Sequence, residues 1–108
     1  MQIGRLRHRV TLQRPTEARD ADYGGLETAW EDAGEVWARV ETLKGKALEH
    51  ARSAWSDVSL RVTLRAGSGV AAGWRIVLAG GRVLEVLAAY DPDEGRGRAT
   101  ECPCREVT

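Results

Sequence analysis

The chain contains no phenylalanine, and four tryptophans and two tyrosines are its only large aromatics. That leaves little from which to build the stacked aromatic platform used by single-strand nucleic-acid binders. Cysteine is scarce: Cys102 and Cys104 are two apart near the C-terminal end. Two residues along a strand they share a face, and a disulfide between them would be badly strained. A structural metal site needs about four ligands, and His8 and His50 are the only histidines. The expectation is two buried or half-buried thiols in a last strand. No apolar run reaches the roughly 18 residues of a membrane-spanning helix, so no membrane partner is expected. No apolar stretch comes after the first charges, so no export signal is expected and synthesis in the cytoplasm is the default. The formal net charge is zero.

That zero hides a pattern. In the opening stretch GRLRHRVTLQR, Arg5, Arg7 and Arg9 alternate with apolar positions. As a strand it has one basic face and one buriable face. Residues 1–14 carry four arginines and no acid, and residues 15–43 carry eight acids against Arg19 and Arg39. Residues 44–65 turn basic again with Lys44, Lys46, Arg52, Arg61 and Arg65. A surface polarised in this way steers association.

Period-two alternation predicts strands near 5–14, 35–41, 57–65, 74–79, 82–90 and 99–104. Gly80-Gly81 is a two-residue hairpin signal, and Pro103 marks the last strand as an edge or an end. Leu43, Ala47, Leu48, Ala51 and Trp55 have near-helical spacing, which predicts one short helix over about 45–55. Residues 15–34 are long, acidic and punctuated by glycine, and are read as a loop. With 108 residues the chain is one domain, 1–108. The fold class is mainly β: a small antiparallel β-barrel or sandwich of about five or six strands with one short helix.

The chemistry-bearing residues suggest contact surfaces rather than a reaction centre. No Ser/His/Asp or Cys/His set stands at suggestive positions. His8 falls on the apolar face of the first strand and is expected to be partly buried, and His50 to be solvated on the helix. The pairs Glu31-Asp32 and Asp93-Glu94 are too few oxygens for a calcium loop. The sequences GSG at 67–69 and GG at 80–81 lack the Lys-Ser/Thr pair or helix that completes a phosphate loop. No enzymatic activity and no cofactor are expected. A small OB-like or SH3-like nucleic-acid-binding barrel is the alternative, but the basic strands 5–14 and 57–65 contain no aromatic residue.

The order of features resembles phage head–tail joining proteins, the head-closure or stopper family, including those of phage-like gene transfer agents. The resemblance covers about residues 3–105. It is carried by IGRLRHRVTLQRP, Tyr23-Gly24-Gly25, Trp30, Glu31-Asp32, VWARVE with Trp37, and Gly45, Leu48 and Ala51 in the helix. Leu64-Arg65, WRIV, Gly81-Arg82-Val83 and Asp91-Pro92-Asp93 complete it. Two departures are Ala29 between Thr28 and Trp30, and Leu84 where the family often has tyrosine.

The resemblance implies a β-barrel subunit of a virion or phage-like particle. Such subunits self-associate into a ring, a dodecamer, at the portal vertex, below the portal or adaptor ring. Tail terminator or tail proteins would lie beneath it, and packaged DNA would run in the channel without sequence specificity. Partner docking is then expected on the basic face, Arg5, Arg7, Arg9, Arg61 and Arg65. A gate and neighbour contacts are expected at Asp20, Asp22, Tyr23, Gly24, Gly25, Glu27, Trp30, Glu31 and Asp32, or on the helix with Lys44, Lys46 and Arg52. A head-to-tail contact needs two different complementary surfaces, and basic and acidic blocks supply such a pair.

Overall fold

The computed structural model describes residues 7–19, 26–92, 95 and 97–107. Among them are six strands and one helix, in the order β1 (His8–Arg19), β2 (Leu26–Thr42), α1 (Gly45–Arg52), β3 (Leu60–Arg65), β4 (Arg75–Leu78), β5 (Val83–Val86) and β6 (Ala99–Val107). All neighbours are antiparallel, and the sheet closes in the order β1-β2-β3-β6-β5-β4. Among the described residues the fold is thus a closed six-stranded barrel with a single short helix, in the mainly β class expected, and closure decides between the barrel and the sandwich.

Alternate side chains fill the barrel. Val10 and Leu12, Leu60, Val62 and Leu64, Ile76 and Leu78, and Leu84 and Val86 all point inward and are buried. Cys102 and Cys104 complete this core from β6, both reduced and buried. Between β4 and β5, Gly80 and Gly81 take φ of 93° and 90°, a conformation only glycine adopts without strain. The Leu78 amide donates to the Arg82 carbonyl at 2.8 Å and closes this hairpin.

The largest departure from the sequence reading is residues 15–34. Residues 15–19 and 26–34 are strand rather than loop: β1 and β2 stay paired from His8 with Ala38 out to Arg19 with Leu26, and residues 20–25 lie outside the described residues. β4 pairs with β1 only from Val10 to Gln13, and β3 pairs with β2 only from Ala38 to Thr42. Past Gln13 the two strands therefore continue alone as a two-stranded arm. Six residues of strand, Arg14–Arg19, project about 20 Å, which accounts for an elongated molecule of 50 × 29 × 27 Å. A register shift between Leu12 and Gln13 leaves Ala33 unpaired, with Gly34 beside it at φ 129°. This bulge sits where the arm leaves the barrel, and bulges bend and twist a strand at such places.

Pro103 is also corrected. It marks neither an edge nor an end, because β6 lies between β3 and β5 and runs on to Val107. The ladder to β3 spans Ala99–Cys104 and the ladder to β5 spans Cys104–Val107. The proline, which has no N–H to give, stands where the strand changes partners. The helix is shorter than expected, ending at Arg52, and Trp55 is held by a turn in which its amide donates to the Ala51 carbonyl at 2.9 Å.

The barrel core and the outer wall should respond differently to truncation. Leu64→Ala should cost about 2–5 kcal/mol of unfolding free energy, the usual range for a buried leucine. Trp37→Ala, at a side chain 51% exposed, should cost about 0.5–1 kcal/mol, the worth of an exposed cation–π contact. Denaturant titration of the two variants measures both.

Candidate interface surfaces

The charged positions singled out in the sequence separate into distinct surfaces. Arg7 and Arg9 are exposed at the start of β1 and line a groove of about 360 Å³ with His8 and, from the β4–β5 hairpin, Arg82. His8 is exposed rather than partly buried, because it is the first residue of the strand and lies at the barrel mouth. Arg82 grips Glu106 through two nitrogens at 3.0 and 2.8 Å. That contact raises the Arg82 pKa and lowers that of Glu106. Arg7 has no acidic partner among the described residues. Arg5 lies outside the described residues.

Arg61 does not join this basic face. It is partly buried on the barrel wall, 3.2 Å from Glu41 and 3.8 Å from Glu101, and so is held between strands on either side. Arg39 also reaches Glu41 at 3.3 Å. Arg65 is exposed and lines a small pocket with Val36 and Trp37. Reading the strands one at a time hid a cross-strand contact: Trp37 on β2 pairs with Arg9 on β1, and the Arg9 guanidinium lies 5.4 Å from the centre of the indole. The basic face therefore does carry an aromatic, supplied by the neighbouring strand.

The arm carries the expected acidic residues. Gln13 donates to Asp32 at 3.1 Å, and Arg14 is 3.5 Å from Glu31. Trp30 is half-buried under Arg75, whose guanidinium is 4.1 Å from the ring centre. These contacts sit at the root of the arm, beside the bulge, and tie it to β4. Glu27 lies in β2, whereas Asp20, Asp22, Tyr23, Gly24 and Gly25 lie outside the described residues, as do Asp93 and Glu94.

The third surface surrounds α1. Leu43 is buried just before the helix, and Trp55 just after it stacks on Tyr90 with ring centres 6.2 Å apart and planes 6° apart. Between these two anchors no helix residue is buried. Lys44, Lys46 and Arg52 are exposed. Beneath the helix runs a groove of about 570 Å³ lined by Ala47, Ala51, Trp55, Tyr90, Arg61 and Pro103. The Tyr90 hydroxyl donates to Glu101 at 2.7 Å. Burial and that carboxylate push the tyrosine pKa up to about 12.

Among the described residues no group of three His, Cys, Asp or Glu side chains could hold a metal. No helix among them is long and apolar enough to cross a membrane. What the molecule offers is a closed barrel with three contact surfaces, two basic and one acidic. Residues 1–107 match the family described as phage head completion protein, and the chain belongs to that family. Its role is structural, in the phage-type particle, where head is joined to tail.

The fold is shared with solved structures. The solution structure of protein SF1141 from Shigella flexneri 2a is 31% identical, with a TM-score of 0.75 over 100% of this chain and 98% of that one. A chain in the virion of a native gene transfer agent particle is 23% identical, with a TM-score of 0.61 over 95% of this chain and 96% of that one. No curated protein matches.

The two thiols give a test of the closed barrel. Burial raises the Cys102 pKa to about 12, helped by the nearby Glu101, and burial raises that of Cys104 as well. In the unfolded chain both would ionise near pH 8.5. A pKa raised by folding stabilises the protein below the unfolded value and loses that contribution as pH climbs toward the folded value. Stability should hold to about pH 8.5 and fall between there and about pH 12. The fall should be shallower in Cys102→Ala/Cys104→Ala, as read by thermal unfolding against pH. At neutral pH a thiol reagent should label neither cysteine until the protein is unfolded.

Proposed function

We propose that this chain is a stopper-type head–tail connector. In this reading several copies form a ring between the portal or its adaptor and the tail, close the DNA channel and present the surface on which the tail docks. The observation that carries it is the segregation of charge on one barrel of a head completion protein: a mouth where Arg7 stands without an acidic partner among the described residues beside the paired Arg9 and Arg82, an acidic arm, and a basic helix. One subunit then has different surfaces for different neighbours, which head-to-tail rings require. Closure of the channel is assigned to one of the elements that leave the barrel, the arm or α1.

The basic mouth is assigned to docking on an acidic protein partner rather than to holding DNA. Each phosphate contact adds to affinity, and a channel through which DNA slides gains nothing from a tight grip. A second reading, a small nucleic-acid-binding barrel, draws on one observation: Trp37 is exposed between Arg9 and the Arg65 pocket. A stacked base would find both an aromatic face and positive charge there.

Removal of the gene should give tailless heads that have lost their DNA, as read by electron microscopy and a DNA assay of the particles. Tailed, DNA-filled particles from the deletion would overturn the connector reading. A fluorescence-polarisation titration of the isolated protein with duplex and single-stranded DNA should show only weak binding. Tight binding that falls steeply with salt would move the nucleic-acid barrel to the front.

A further inference from the structure

Two elements of this protein lack the packing that elements of their kind need. A two-stranded ribbon on its own is marginally stable, yet among the described residues the arm leaves the barrel with no third strand on either side. A helix of eight residues is far below the length that is stable alone, yet α1 buries none of its residues. Ala47 and Ala51 face the groove of about 570 Å³ rather than a packed core. Each element therefore presents surface that a second partner can cover.

The two are placed at opposite ends of one strand. The arm contains the beginning of β2, from Leu26, and α1 begins at Gly45, just after β2 ends at Thr42. The arm of one copy is thus carried away from that copy's own groove. Their charges are opposite. The described arm residues, 14–19 and 26–32, carry four acidic residues against two arginines, whereas residues 44–53 carry Lys44, Lys46 and Arg52 against Glu49. Lys44 and Lys46 have no acidic partner among the described residues.

We infer that the arm of one copy lies along the groove beneath α1 of the next copy, so that arm and helix support one another across the subunit boundary. This rests on the reading of the chain as a multi-copy neck subunit. Thr16 and Ala29 are paired across the arm and share one face of the ribbon, which gives that face two small side chains that can approach Ala47 and Ala51. The acidic residues of the arm then face Lys44 and Lys46. Since the contact joins two different surfaces, each copy offers one arm and one groove, and the series closes into a ring when the rotation permits.

Disulfide trapping in assembled particles tests this. Thr16→Cys/Ala47→Cys places one thiol on the groove-facing side of the arm and one at the groove, and the buried Cys102 and Cys104 do not compete. After oxidation, non-reducing electrophoresis should show a ladder in steps of the 11.8 kDa chain. Either single substitution should leave monomers. A second pair, Ala29→Cys/Ala51→Cys, guards against one pair being misaligned. In parallel, Lys44→Glu/Lys46→Glu should lower incorporation into particles at least about tenfold, since it sets like charges together. Chain present in particles with no ladder from either pair, and full incorporation of the Lys44→Glu/Lys46→Glu chain, would overturn the arm-to-groove contact. Absence of the unaltered chain from mature particles would instead overturn the connector reading itself.

Discussion

Closure of the sheet between β1 and β4 is the contact on which the rest depends. Val10–Gln13 pair with Leu78–Arg75, and this short ladder turns a curved sheet into a barrel. Closure removes every free edge within the barrel and lets a core of aliphatic side chains and two thiols fill it without any phenylalanine. The same contact sets where the arm begins. β4 accompanies β1 no further than Gln13, and the bulge at Ala33 and Gly34 falls at the same level on β2. Whatever lies beyond must be stabilised by something other than the core.

The parts of the fold that were legible in the sequence are those that face the core. Leu60, Val62 and Leu64 alternate because one side of β3 is buried, and Gly80-Gly81 is readable because a tight hairpin demands positive φ. The arm was not legible as strand. In 28–34, TAWEDAG, no residue is fully buried and Ala33 alone packs against the core, so no period-two signal is written, and the bulge breaks what alternation remains. The acidic and glycine-rich composition that signals a loop also suits an exposed ribbon.

The candidate contact residues were legible as residue types but not as groups. Arg61 looked like part of a basic face until Glu41 and Glu101 came to lie beside it from the adjoining strands. Trp37 looked remote from the basic opening until register placed it against Arg9. Both depend on pairings between strands far apart in sequence, which local periodicity does not carry. His8 was misread for a related reason: alternation gives the face, but not where along the strand the barrel ends.

A neutral chain thus becomes an assembly subunit by keeping its charges apart. The ion pairs of Arg61 and Arg105 with acids on neighbouring strands lace the outer wall, and Arg9 and Arg82 are paired with Glu35 and Glu106 at the mouth, while Arg7, the acidic arm and the basic helix remain for contacts with other molecules. The most direct test of this account is an electron cryomicroscopy map of the particle neck. The account expects the barrel repeated as a ring between head and tail, with an arm crossing from each copy to the helix of the next. A neck whose density has no place for this barrel would contradict it.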